Sequence, residues 1–354
     1  MDLHFNIASR FTRWVTKTGT LQQPFVLIDV GVQAGEHPRW HLLGDHLVVH
    51  GFDPIEEVID GLRQQNARRP NRHYHWLAAG SADGERNFYF NATDPFSSSF
   101  YPQGKNRFGL HGLRSEQERP VKVRRLDGLL AEGAIPPADF LKCDVEGFEK
   151  EVLLGAPTLL RSALAVESES NFAVSPEYRR SHFGELQAIL LEAHFLLFDL
   201  AFDRAPRASY VREIRRRGRD RDPPSRTVGK PSTLNVLFAR DPIDERDHPE
   251  NYTTAPEPLD ADRLIKLLII MELYGLNDIA LDTAERFSDL LDPRMDIEKA
   301  LDLLADPFCL VHPLRRPRSP LAMAIGLVPR QIRRRVQHLI GERSTNAILS
   351  RLLR

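Results

Sequence analysis

The stretch 140-FLKCDVEGFEKEVLLGA-156 carries the residue types best suited to chemistry in this chain. An apolar run ends on Asp144 and Glu146, passes Gly147 and turns into an amphipathic helical pattern. Two carboxylates therefore stand at the mouth of a strand, the edge where open α/β sheets hold their ligands. Asp144 there could take a proton from a reacting hydroxyl or help to hold a metal ion. Glu146 has two readings, a chemical group or an acid that complements the dipole of the helix that follows. Lys142 lies two residues before Asp144 and so on the same strand face, where it pairs with a carboxylate, steers an anionic acceptor or is simply solvated.

A second motif, 29-DVGVQAG-35, directly follows the apolar strand 25-FVLID-29. Glycines at such a position allow a tight turn and let backbone approach a ligand closely. Gly31 and Gly35 thus read as a cofactor turn, and Asp29 either orients that turn or meets the ligand itself. The next strand, 47-LVVHGF-52, ends on Asp53, two dozen positions after Asp29. An acid at that strand end is placed to accept hydrogen bonds from ribose hydroxyls. The dense glycines of a pyrophosphate site and the lysine motif of a triphosphate site are both missing, which favours S-adenosylmethionine over NAD or ATP.

These motifs need a sheet with crossover helices to position them, and the chain supplies the pattern. Short apolar runs at 25–29, 47–52, 73–79, 86–90, 139–144, 163–168, 194–200 and 233–239 alternate with helical stretches at 55–65, 148–161 and 181–193. The polar, proline-bearing segment 241–260 reads as a linker, after which 261–291, 296–304 and 329–344 read as helices. The expected organisation is a helical lead-in over 1–24, a catalytic domain over 25–240, the linker, and a helical extension over 261–354. Length of 354 residues with 42% hydrophobic and 27% charged residues is enough for a full core. A formal charge of −1 offers no field for nucleic acid, and no nucleic-acid partner is expected. Cys143 and Cys309 are the two cysteines, so no disulfide framework is implied and a reducing cytoplasm fits best. The first residues lack a signal-peptide run, and the longest greasy run, 264–276, is interrupted by Lys266 and Glu272, so no transmembrane span is expected. The helical extension leaves room for a homo-oligomer or a protein partner.

Taken in order, 29-DVGVQAG-35, 52-FDP-54, 78-AAGSADG-84, 97-SSSF-100, 126-LDGLL-130 and 141-LKCDVEGFEKEVLLGA-156 resemble the FkbM family of S-adenosylmethionine-dependent methyltransferases. The resemblance runs from Phe25 to Phe172 and more loosely to Arg240, and the Asp-Val-Glu-Gly-Phe-Glu block is its specific part. It implies a Rossmann-like class I methyltransferase fold, α/β with a mostly parallel sheet and a reversed last strand, to which the helical extension is appended. It also implies methyl transfer from S-adenosylmethionine to a hydroxyl of a sugar, glycan or related small molecule. Asp53 stands where the family more often has Glu, and 36-EHPRW-40 is bulkier than the usual helix start.

By this resemblance, Ala79 with Ser81 follows the third strand at the adenine edge, while Asp29 orients the glycine turn or meets the methionine amino group. Ser98 and Ser99 match a segment near the acceptor, where an ordinary serine loop is the competing reading. The strand end 166-VESESN-171 adds Glu167, which with Asp144 could hold Mg2+ or could contact acceptor hydroxyls directly. Arg215 and Arg216 lie in a connection, 204–226, that covers the acceptor in such enzymes and otherwise reads as a solvated basic loop. Two other classes compete: a catalytically silent methyltransferase-like module whose helical tail docks a partner, and a nicotinamide enzyme, which the glycine pattern disfavours.

Overall fold

The computed structural model describes residues 3–6, 8–92, 95–102, 116–172, 181–217, 228–252 and 258–305. Ten strands are present among them: β1 (Phe25–Val30), β2 (Leu47–Asp53), β3 (Arg72–Trp76), β4 (Ala78–Ala79), β5 (Gly84–Asn91), β6 (Glu116–Arg124), β7 (Phe140–Cys143), β8 (Ala165–Asn171), β9 (Leu196–Ala205) and β10 (Lys230–Ala239). Seven form one sheet in the order β3-β2-β1-β7-β8-β10-β9, and β4-β6-β5 form a second. Every pairing in the large sheet is parallel except those of β10, which runs antiparallel to β8 and β9. This is a Rossmann-like α/β sheet with a reversed last strand.

The helices are α1 (Arg10–Thr18), α2 (Glu56–Gln65), α3 (Leu126–Ala131), α4 (Glu149–Leu154), α5 (Pro157–Ser162), α6 (Phe183–Glu192), α7 (Ala208–Arg216), α8 (Pro242–Asp247), α9 (Ala261–Leu273), α10 (Asn277–Arg286), α11 (Ser288–Leu291) and α12 (Ile297–Leu304). None of the described helices is long and apolar enough to cross a membrane. Alternate residues of each central strand feed opposite cores, as a pleated strand buried on both faces requires. Phe25 and Leu27 join Phe140, Ala165 and α9 on one side, whereas Val26, Ile28 and Val30 join Leu141, Val166 and Leu153 on the other.

α9 is the largest single contributor to the first core. Every residue of it except Arg263 is buried, as its apolar composition on all sides demands. Its charges are matched: Lys266 donates to Asp139 at 2.9 Å and to the Pro24 carbonyl at 2.8 Å. Glu272 accepts the Phe11 and Thr12 amides at 2.8 and 2.7 Å, capping the start of α1. The described part of the helical extension, 261–305, is therefore a layer of the same core, and α9 gives its apolar surface to the sheet.

The structure departs from the sequence expectations in four places. The run 73–79 does not form one strand, because Leu77 turns the chain from β3 in the large sheet to β4 in the small one. β6 was not legible, since 116-EQERPVKVR-124 buries little beyond Val123. The helix over 148–161 breaks into α4 and α5 at Gly155-Ala156-Pro157, where proline opens a new helix. The linker 241–260 contains α8, capped by Asp241 through the Ile243 and Asp244 amides. The expected helix over 329–344, and Cys309, lie outside the described residues.

Candidate active site

The carboxyl ends of β1, β2 and β7 meet at the glycine turn. Gly31 has φ +88°, and its amide donates to the Phe52 carbonyl at 2.9 Å. A β-carbon there would lie 1.9 Å from the Asp144 carbonyl oxygen, so the turn and the end of β7 touch backbone to backbone. Only glycine satisfies both conditions. Gly35, with φ +74°, donates to the Val32 carbonyl at 2.7 Å and closes the turn.

Register then builds a row of charges. Asp29 on β1 pairs with Lys142 on β7, which pairs with Glu167 on β8, so the three side chains share one face of adjacent strands. Lys142 Nζ stands 3.4 Å from Asp29 Oδ1 and 3.6 Å from Asp144. Burial pushes the Asp29 carboxyl up to about 6; Lys142 opposes that rise, while Asp144 and Glu167 add to it. Burial works against the Lys142 charge, but Asp29, Asp144 and Glu167 overcome it and hold the ammonium above its ordinary range.

Asp53 ends β2 with its side chain buried. Its Oδ1 accepts the Ile55 amide at 2.8 Å, and its Oδ2 is buried with no hydrogen-bond partner. Burial raises this carboxyl to about 7, against the pull of the Ile55 amide and with help from the Asp29 charge. A buried carboxylate oxygen without a donor is costly and is the natural acceptor for a ligand hydroxyl.

After β7 the chain turns through Glu146, whose φ is +56°, and Gly147 at φ +105°. α4 has no side-chain cap from its N-cap residue Phe148; Glu149 instead fastens the turn that precedes it. Glu149 Oε1 accepts the Val145 and Gly147 amides at 3.1 and 2.9 Å, and burial raises its carboxyl to about 6 against the Gly147 bond. Ser99 donates to the Glu146 carbonyl at 2.8 Å, and Ser98 accepts the Asn91 amide at 3.1 Å. The serine run is thus built into the wall formed by the small sheet.

Together these elements enclose a cavity of about 560 Å³, within the range of small-molecule sites, roughly 300–1,000 Å³. Its lining brings together Gly31, Gly35, Asp53, Ala79, Ser98, Lys142, Asp144 and Glu146 from the sequence reading. Asp29 supports it from beneath through Lys142. Ser81 instead donates to Glu151, and Glu167 accepts from the Tyr274 hydroxyl; neither lines the cavity. Arg216 is exposed and forks onto Glu213 at 2.8 and 2.9 Å. Arg215 belongs to α7, but its side chain lies outside the described residues. Of the expected metal pair Asp144 and Glu167, Glu167 accepts from the Tyr274 hydroxyl, and no group of three carboxylate, histidine or cysteine side chains among the described residues is placed to hold a metal ion.

Several lining residues were not anticipated. Phe88, Phe96 and Phe100 form an apolar wall with Phe148, and Phe96 is 61% exposed at the cavity mouth. Gln33 ties the glycine turn to that wall through its 3.2 Å bond to the Pro95 carbonyl. His37 uses Nδ1 to accept the Arg39 amide and Nε at 3.1 Å each. Burial, with Arg39 and Lys142 nearby, lowers its imidazole to about 3, so it stays neutral and is a poor base. Phe5 from the N-terminal segment packs edge-on against it at 5.6 Å. These contacts join segments far apart in sequence, and composition alone gave no signal for them.

Residues 29–197 match the family described as Methyltransferase FkbM domain. The hexuronic acid methyltransferase AglP of Haloferax volcanii is 28% identical over 155 residues, covering 43% of this chain and 58% of that protein. The chain thus spans a little over half the length of the curated relative it matches. Among solved structures, a putative sarcosine dimethylglycine methyltransferase from Galdieria sulphuraria aligns with 65% of this chain and 85% of its own at 11% identity and TM-score 0.33. The N-methyltransferase NodS from Bradyrhizobium japonicum in complex with S-adenosylhomocysteine aligns with 65% of this chain and 86% of its own, at 9% identity and TM-score 0.30.

Proposed function

We propose, from the match of residues 29–197 to the Methyltransferase FkbM domain, that the chain transfers a methyl group from S-adenosylmethionine to a hydroxyl of a sugar-type acceptor. The observation that carries the reading is the unpartnered, buried Oδ2 of Asp53 beside the glycine turn of a cavity at the sheet's carboxyl edge. In this reading a ribose hydroxyl donates to Asp53 Oδ2, the adenine lies along Ala78 and Ala79, and the backbone of Gly31 to Gly35 follows the cofactor closely. The amino-acid end rests on the Asp29, Lys142 and Asp144 cluster, whose carboxylates suit the α-ammonium and whose lysine suits the α-carboxylate.

The acceptor enters past Phe96, where exposed aromatic carbon can face the apolar side of a sugar ring. Its hydroxyl oxygen attacks the methyl carbon in line with the carbon–sulfur bond. That bond breaks, sulfur keeps the electron pair, and neutral S-adenosylhomocysteine is left. The hydroxyl proton passes to the Asp144 carboxylate, which is 45% exposed and can hand it to water. A sugar acceptor is favoured by AglP, a hexuronic acid methyltransferase by name.

The test is transfer of a labelled methyl group from S-adenosylmethionine to a panel of neutral hexoses, hexuronic acids and short glycans. We expect S-adenosylhomocysteine to accumulate with at least one acceptor and Asp144→Asn to slow that turnover by about 10²-fold or more. Cofactor binding with no transfer to any acceptor would favour a silent binding module.

A further inference from the structure

We propose that Tyr274, which lies outside the matched methyltransferase domain, is a positioning residue of the site: its hydroxyl holds Glu167 away from Lys142, leaving the lysine to Asp29 and Asp144. The inference rests on the proposed placement of the cofactor's amino-acid end at that cluster.

Glu167 and Asp29 flank Lys142 on equal terms, each its in-register neighbour on an adjacent parallel strand. Yet the ammonium bonds to Asp29 at 3.4 Å and sits 3.6 Å from Asp144, while Glu167 accepts from Tyr274. Competition for one lysine among three carboxylates is therefore settled by a donor from the helical layer. Glu167 is partly buried, and a carboxylate there deprived of its donor would turn to the lysine in register beside it, since an acceptor shielded from water and left unpaired is costly.

Tyr274 is built to stay in place. It is fully buried directly after α9, its ring is stacked on Phe140 at 5.8 Å, and Trp40 packs edge-on at 6.3 Å. The Arg39 guanidinium covers the ring at 3.8 Å. A phenol locked by packing on all sides presents its hydroxyl at a fixed point, which is what a supporting residue must do. The methyltransferase domain thus depends on the helical layer for the setting of its own lysine.

The experiment is calorimetric titration of the full chain with S-adenosylhomocysteine. Tyr274→Phe keeps every ring contact and removes only the hydroxyl; we expect its affinity to fall about ten-fold. Adding Glu167→Gln removes the competing charge and is expected to recover most of that loss, a rescue that a merely structural tyrosine would not show. An unchanged affinity in Tyr274→Phe, or a double variant as weak as the single one, would overturn the proposal. Loss of the near-ultraviolet circular dichroism of Tyr274→Phe that Glu167→Gln does not repair would assign the hydroxyl to the fold and overturn it too. Failure of the wild-type chain to bind would instead refute the cofactor reading on which the proposal stands.

Discussion

Lys142 Nζ stands 3.4 Å from Asp29 Oδ1, joining two adjacent parallel strands at their carboxyl ends beneath the candidate cofactor turn. Removing the ammonium leaves burial of Asp29 unopposed while Asp144 and Glu167 continue to repel it, so its ionisation moves above about 6. Lys142→Met should therefore weaken S-adenosylhomocysteine binding more at pH 6.5 than at pH 8.5, since the higher pH favours the Asp29 carboxylate again. Titration at the two pH values checks this; an equal loss at both would separate Lys142 from the ionisation of Asp29.

Asp53 predicts a conflict between stability and binding. Its folded pKa of about 7 lies above the ordinary 3.8, so the folded protein holds a proton that the unfolded chain has lost. Stability from this group is full below the ordinary value and declines as pH rises toward 7. Asp53→Asn, which removes the buried charge, should raise the thermal midpoint of the ligand-free protein more at pH 8.5 than at pH 5.5. Calorimetric melts at both values measure the difference.

Gly31 is constrained twice, by φ +88° and by the Asp144 carbonyl 1.9 Å from where a β-carbon would sit. Gly31→Ala should cost about 2 kcal/mol or more, because both the backbone conformation and the contact must yield. Urea unfolding gives the value, and a near-neutral result would mean that the turn and β7 are farther apart.

Lys266 tests the attachment of the helical layer. Its side chain is 7% exposed and neutralises Asp139, which also accepts the Val26 amide at 2.8 Å. Lys266→Ala leaves that carboxylate buried without its cation, at a cost of about 3–5 kcal/mol by denaturant unfolding. Lys266→Met together with Asp139→Asn should recover much of the loss.

The fold was legible where a single strand or turn carries the signal. β1, β2 and β7 are largely apolar strands, and the residues at their carboxyl ends place Gly31, Asp53, Lys142 and Asp144 on one cavity. What could not be read was pairing at a distance. Glu167 looks like a ligand at a strand end until Tyr274, more than a hundred residues later, is seen to take it. Glu146 has two readings in the sequence, a chemical group or an acid at a helix start; the structure gives its backbone a φ of +56° and sets Glu149 as the acceptor for the Val145 and Gly147 amides of that turn. The aromatic wall of Phe88, Phe96 and Phe100 hangs partly on β6, whose charged, exposed sequence carries little strand signal.

The account turns on Asp53 as the ribose acceptor, and calorimetric titration with S-adenosylhomocysteine at pH 8 tests it most directly. Wild-type chain should bind with a stoichiometry of about one, and Asp53→Ala should lose at least about ten-fold in affinity, as expected for a charged hydrogen bond in a buried site. Equal affinity in the two proteins would contradict the assignment.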